Sequence, residues 1–227
     1  LRETKTGDEK MASKANKKND EVAVIKRANI VRTTLKIRGL TPLVINKFSK
    51  KQRDKMMADM AATKAQKKGK SERPPRDYED DFQQARHVSQ EGWDGIHAAA
   101  FRCAMIDACR TVGLVMTKAK MAVFIIADGW DRDEGTPLVR ILGGEPEQTP
   151  TLVRNDNGSA DIRVRPMWRE WSANITIEFD ADMITPESVV NLLDRAGRQV
   201  GICEGRPFSK NSAGMDWGRF TVVEAES

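Results

Sequence analysis

The sequence predicts an α+β fold in which an antiparallel sheet carries helices on one face, and three observations support it. Leu35 and Ile37 alternate with Thr34, Lys36 and Arg38, and Ile175, Ile177 and Phe179 alternate with Asn174, Thr176 and Glu178, the period-two pattern of half-buried strands. Phe101, Ala104, Met105, Ala108, Cys109 and Val112 form one stripe at helical spacing, and Val189, Leu192, Leu193 and Ala196 form another. The order is strand, helical insertion, helix, strands, helix, strand, which suits a sheet covered by helices on one side.

Residues 1–30 read as a basic, disordered tail in which lysines mix with acids and few apolar residues. Met11-Ala12-Ser13-Lys14 has the look of a natural start, which leaves residues 1–10 readable as vector- or frame-derived. Residues 31–227 read as a single α+β domain with an insertion at about 49–90. Its first strand is 31–38, and Thr41-Pro42-Leu43-Val44-Ile45 makes a turn and a second extended piece. Ser49 is placed to cap a charged helix running to about Lys67, with Met56, Met57 and Met60 as its weak apolar side. A basic loop follows, carrying Lys67, Lys68, Lys70, Arg73 and Arg76 around Gly69 and the stiff Pro74-Pro75. The next segment, Asp77 to Phe82, reads as a solvated or intermolecular acidic patch.

The main helix is expected from His97 to about Val112, ended by Gly113. A short lysine-rich helix near 117–120 leads into Ala122–Ala127, expected as a fully buried strand, and 136–142 gives another. Residues 143–160 read as loop, with Pro146, Pro150 and an Asn155-Asp156-Asn157-Gly158 turn. Ile162 and Val164 alternate with Arg163 and Arg165 on a further strand. Thr185-Pro186-Glu187 starts a helix with a capping hydroxyl, proline at the first helical position and an acid at the positive end. Gly197 closes that helix, and a loop dense in Gly, Arg and Ser runs from Gly201 to a last strand ending at Val222.

The net charge is +5 and the pI about 9.1, the sign expected of a partner for nucleic acid. Three cysteines, odd in number and without metal-ligand spacing, point to a reduced compartment, with Cys103 and Cys109 as buried small hydrophobes. No run is long and apolar enough for a membrane span and the polar start is no secretory signal, so a soluble, cytoplasmic protein is expected. The chain has no P-loop, no G-x-S-x-G and no dinucleotide fingerprint, and its two histidines, His87 and His97, have no partner at a recognisable spacing. No cofactor, no metal and no catalytic residue are assigned. Asp128, Asp131, Asp133 and Glu134 are the acids a metal-dependent nuclease would use, although they do not match a calcium loop.

Binding chemistry is concentrated elsewhere. Lys36, Arg38, Arg163 and Arg165 fall on the polar faces of strands. The closing loop pairs Arg206 and Arg219 with Trp217 among glycines, whose exposed N–H groups suit anions. Trp93, Trp130 and Trp217 each sit beside glycines, where a ring stacks on a base or packs under a turn. Trp168 and Trp171 interleave with Arg165 and Arg169, which suits stacking with phosphate contact or a subunit interface.

Gly95-Ile96-His97 running on to Arg110 resembles the glycine-turn helix of the RAMP superfamily, the RRM-like backbone subunits of CRISPR effector complexes. Gly201 to Phe220 is similar to that family's glycine-rich loop before the last strand, and Gly39 with Thr41-Pro42-Leu43 follows the first strand as there. The chain departs from the pattern at His97, in place of proline, at Ala99-Ala100, in place of serines, and in having fewer consecutive glycines. A looser similarity is to proteins of tailed phages. The resemblance implies an RRM- or ferredoxin-like sheet and a non-catalytic protein that oligomerises side by side along RNA or single-stranded DNA, in the cytoplasm of a bacterium or phage-infected cell. It makes Arg38, His97, Arg102, Arg206 and Arg219 the leading backbone contacts. A phage protein that coats or anneals single-stranded DNA and a phage structural assembly protein are the alternatives.

Overall fold

The computed structural model describes residues 25–61, 76–154, 158–209 and 214–223. Lys67, Lys68, Lys70 and Arg73 of the basic loop, and the tail up to residue 24, lie outside the described residues.

The main sheet is antiparallel. Strand β1 (Ile30–Gly39) pairs along its length with β10 (Trp171–Asp180), from Ile30 opposite Asp180 to Arg38 opposite Ser172. Strand β11 (Phe220–Val222) flanks β1 and β4 (Val123–Ile126) flanks β10, giving the order β11-β1-β10-β4. A short strand, β7 (Leu142–Gly143), adds to the Trp171 end of β10. The alternation read from sequence holds: Ile37, Ala173, Ile175, Ile177 and Phe179 are fully buried, while Lys36, Arg38 and Asn174 are exposed on the other face.

The buried face is covered by α3 (Ala98–Val112) and α5 (Pro186–Arg195). Phe101 and Met105 of α3 and Val189 and Leu193 of α5 face the sheet at helical spacing, with the Phe101 ring edge-on to Phe220. Thr185 caps α5 with proline in its first turn, and Gly113 ends α3 in the left-handed conformation at φ 68°. In chain order α3 lies between β1 and β4, joined to β4 through α4 (Met116–Ala122), and α5 lies between β10 and β11.

Two smaller sheets flank this core. Strands β2 (Leu43–Val44), β8 (Glu147–Arg154) and β9 (Ala160–Trp168) form one in the order β2-β9-β8. Strands β3 (Gly95–His97), β5 (Gly129–Trp130) and β6 (Pro137–Arg140) form the other in the order β3-β6-β5.

Several expectations need correction. Residues 143–160 are not loop throughout: β8 pairs with β9 from Glu147 to Arg154, and Pro150 is tolerated because β8 is an edge strand. The strand at 123–126 is not fully buried, because it too is an edge; Phe124 stays 43% exposed under the Arg102 guanidinium. The acidic patch is a helix, α2 (Tyr78–Gln84). Asp77 accepts from the backbone N–H groups of Glu79 and Asp80, three acids sit at the helix's positive end, and Phe82 is buried.

Of the helix expected to about Lys67, residues 62–67 lie outside the described residues; the described part forms α1 (Lys50–Ala61), with Ser49 Oγ accepting from the Gln52 N–H at 3.2 Å. Its methionines build no core, since Met56, Met57 and Met60 are exposed. Gly197 does not end α5. The chain continues through a π-helical turn (Ala196–Val200) and changes direction at Gly201, φ 72°. Glycine is required at 197 for closeness: a Cβ there runs into the Phe220 carbonyl and ring.

Candidate functional site

The described parts of the closing loop, 201–209 and 214–219, lie against the first three turns of α3, and the two line an open groove of about 670 Å³. His97, Ala100, Cys103 and Asp107 of α3 form one wall. Gly201 to Arg206, with Gly214 and Met215, form the other, and His87, Ile45 and Asn46 complete the end.

Backbone hydrogen bonds hold the loop. Ile202 N–H donates to Gly218 O at 3.0 Å, Gly218 N–H to Pro42 O at 2.8 Å, Glu204 N–H to Val44 O at 3.0 Å and Met215 N–H to Gly205 O at 2.7 Å. Gly205, Gly214 and Gly218 all have φ near +70°. At Gly218 a Cβ would strike the Ile202 carbonyl, so both the dihedral and the close approach demand glycine. Cys203 (φ 61°) and Asp216 (φ 63°) are the two non-glycine residues with positive φ among the described residues, and both lie in this loop. Such strain persists where the surroundings impose it and concentrates at ligand-holding segments.

Beneath the groove lies a buried polar cluster. The Lys47 ammonium donates to both Asp131 oxygens, at 2.8 and 2.9 Å, and to Asp133 at 3.0 Å. Asp131, with no exposed surface, also accepts from the backbone N–H groups of Asp133 and Glu134 and lies 3.1 Å from His87 Nδ1. Burial opposes the Asp131 charge, but Lys47, the two N–H groups and His87 together hold its carboxyl below the usual carboxylate value. Burial pushes the His87 imidazole below its ordinary value, against the pull of Asp131. His97 caps α3: its Nδ1 accepts from the Ala99 N–H at 3.2 Å. The two imidazole rings stand 6.3 Å apart.

Of the residues expected to bind, the groove receives His97 and Arg206, whose guanidinium donates to Cys203 O at 3.2 Å. Lys36 and Arg38 lie on the open face of the sheet, in a separate cleft shared with Arg169. Arg219 closes the loop itself, donating to Arg198 O at 3.0 Å and to Asp216. The Trp217 ring packs against Gly205. Arg102 does not reach the groove; it donates to Val123 O at 2.9 Å and to Lys120 O, tying α3 to α4 and β4.

The basic strand faces divide between sheets. Arg163 is exposed on β9 beside Asp161, while Arg165 is buried and paired with Glu204, its guanidinium lowered in pKa by burial. Trp168 is buried in the core and cannot stack on a ligand, and Trp171 is buried with its indole N–H donating to Thr41 O at 2.9 Å. Arg76 is held by Asp161 and the Ile162 carbonyl rather than extended. Cys109 is buried as expected, but Cys103 is exposed on the groove wall.

The acids near 131 are committed as well: Asp131 to Lys47 and His87, Asp128 to the Arg140 N–H, Glu134 to Arg53. Among the described residues no group of three or more His, Cys, Asp or Glu side chains is placed to hold a metal ion. No described helix is long and apolar enough to cross a membrane.

Sequence reasoning missed the Lys47–His87–Asp131 cluster. Its members are 40 and 44 residues apart in order, and only the topology joins them. The available signal was Lys47 itself, a lysine two residues past the apolar run Leu43-Val44-Ile45 and followed by Phe48. Compared with known proteins, the chain matches no family model and no curated sequence.

Proposed function

We propose that this chain binds the backbone of a single nucleic-acid strand, RNA or single-stranded DNA, in the groove between α3 and the glycine loop, and that copies assemble side by side along that strand. The observation that carries the reading is the loop, glycine-rich and strained at Cys203 and Asp216, folded over the N-terminal half of a fifteen-residue helix. Backbone N–H groups near such turns and at helix starts favour anions, and Arg206 adds a fixed cation.

The core is proposed to be a ferredoxin-like, RRM-type β-α-β-β-α-β unit. Support comes from the order β11-β1-β10-β4, with α3 and α5 as its two helices on the same face. The same order favours kinship with the RAMP backbone subunits, as the motifs at 95–110 and 201–220 do. Assembly of copies draws support from α1, whose three exposed methionines meet no core among the described residues. A structural assembly protein is the second reading, and the same helix favours it.

Fluorescence anisotropy of labelled single-stranded RNA and DNA across a salt series tests the function. Binding that weakens steeply with salt is expected, because each neutralised phosphate releases counterions. Absent or salt-insensitive binding contradicts it.

A further inference from the structure

We propose that His87 and His97 together read the ribose 2′-hydroxyl, which makes the groove a site for RNA in preference to DNA. The inference rests on the reading of the groove as a single-strand site and names the strand.

The argument runs through tautomers. Asp131 is ionised against Lys47 and can only accept hydrogen bonds, so the 3.1 Å contact requires the proton on His87 Nδ1. His87 lines the groove, and Nε2, with a bare lone pair, is the nitrogen left to serve it. At His97 the roles are reversed. Its Nδ1 accepts the Ala99 N–H, so the neutral ring carries its proton on Nε2, as a donor. Burial keeps the His87 imidazole below its ordinary pKa. The charged groups facing His87 are Asp131, Lys47 and Glu134, with His97 beside it.

The groove therefore presents one acceptor and one donor on rings 6.3 Å apart and inclined at 57°. A single oxygen hydrogen-bonded at roughly 2.8 Å to each ring edge can span that separation. Along a strand backbone, phosphate and ring oxygens only accept, and deoxyribose offers C–H at the 2′ position. A 2′-hydroxyl both donates and accepts, and is the group by which a protein distinguishes RNA from DNA. A cap alone would be served by Ser, Asp or Asn; the longer imidazole also delivers a second nitrogen to the groove.

The test compares the full chain's affinity, by anisotropy, for a uridine homopolymer, its 2′-deoxy counterpart and its 2′-O-methyl counterpart. RNA is expected to bind about tenfold tighter than DNA, the worth of roughly two net hydrogen bonds, and about threefold tighter than the 2′-O-methyl strand, whose oxygen accepts but no longer donates. His97→Asn keeps the helix cap but draws the donor back, its amide being shorter than imidazole, and His87→Phe removes the acceptor at similar volume; each should cut the RNA-to-DNA ratio to about threefold or less, and the double variant to about one. Thermal melts confirm that each variant is folded, and His97→Asn alone suffices if His87→Phe is not. Equal wild-type affinity for RNA and DNA overturns the inference while leaving strand binding intact. A wild-type RNA preference that survives undiminished in folded His97→Asn overturns it too. Binding of none of the strands overturns both it and the function proposed above.

Discussion

The groove under the glycine loop and the open face of the main sheet both offer polar groups to a ligand, but they are built in different ways. On the sheet face Lys36 and Arg38 project from β1 into solvent, opposite Asn174 and Ser172, as flexible cations. In the groove each group is fixed from behind: His87 by buried Asp131, His97 by the first turn of α3, Arg206 by the Cys203 carbonyl. Flexible surface cations attract any polyanion and are screened by salt, whereas fixed groups restrict what fits. On the proposed function, the sheet face would attract a strand and the groove would recognise it.

The comparison breaks most severely if the buried support is removed. Lys47→Ala leaves Asp131 charged and unpaired in the interior, and should cost about 3–5 kcal/mol in denaturant unfolding. A loss under 1 kcal/mol would mean that the cluster does not hold the groove. Gly218→Ala comes next. It forces a side chain into φ +68° and against the Ile202 carbonyl, so a loss of roughly 1–3 kcal/mol and a weakened strand complex are expected from melts and anisotropy.

Arg206→Ala should weaken strand binding by about tenfold and flatten the salt slope by about one contact, without lowering the melting temperature. Arg38→Ala, by contrast, should lower affinity only a few-fold at low salt and not at all at high salt. Equal effects of the two would erase the distinction between the regions.

The pH dependence sharpens the same point. His87 is held below its ordinary value in the folded chain, so the unfolded chain takes up a proton first, near pH 6.5. Stability is complete above that pH and falls as pH drops toward the folded value of His87. Asp131, held low, adds a second loss as pH falls through 3.8 and below. Melting temperature against pH should show both, and His87→Phe should remove the first.

The fold was legible where periodicity reports burial. The alternation in β1 and β10 and the stripes of α3 and α5 placed the core, because each element buries one face. Edge positions were not legible: apolar content alone does not show that Phe124 is part-exposed or that Pro150 sits in an edge strand. The site was half legible. Glycine spacing marked the loop, and the α3 motif marked its partner. The polar faces misled for Arg165, because a strand in a second sheet buries what an isolated strand would expose, and Glu204 from the loop neutralises it. Trp168 misled in the same way. His97 was marked by the α3 motif, but His87 carried no signal, since its tautomer is set by Asp131, brought near by the topology of the small sheet.

The central claim is that a strand lies in the groove. Photocrosslinking a 4-thiouridine strand to the full chain, followed by peptide mass spectrometry, tests it directly. Crosslinks in the peptides bearing His87, His97–Cys103 and Cys203–Arg206 are the predicted result; crosslinks confined to the Lys36–Arg38 peptide would contradict the account.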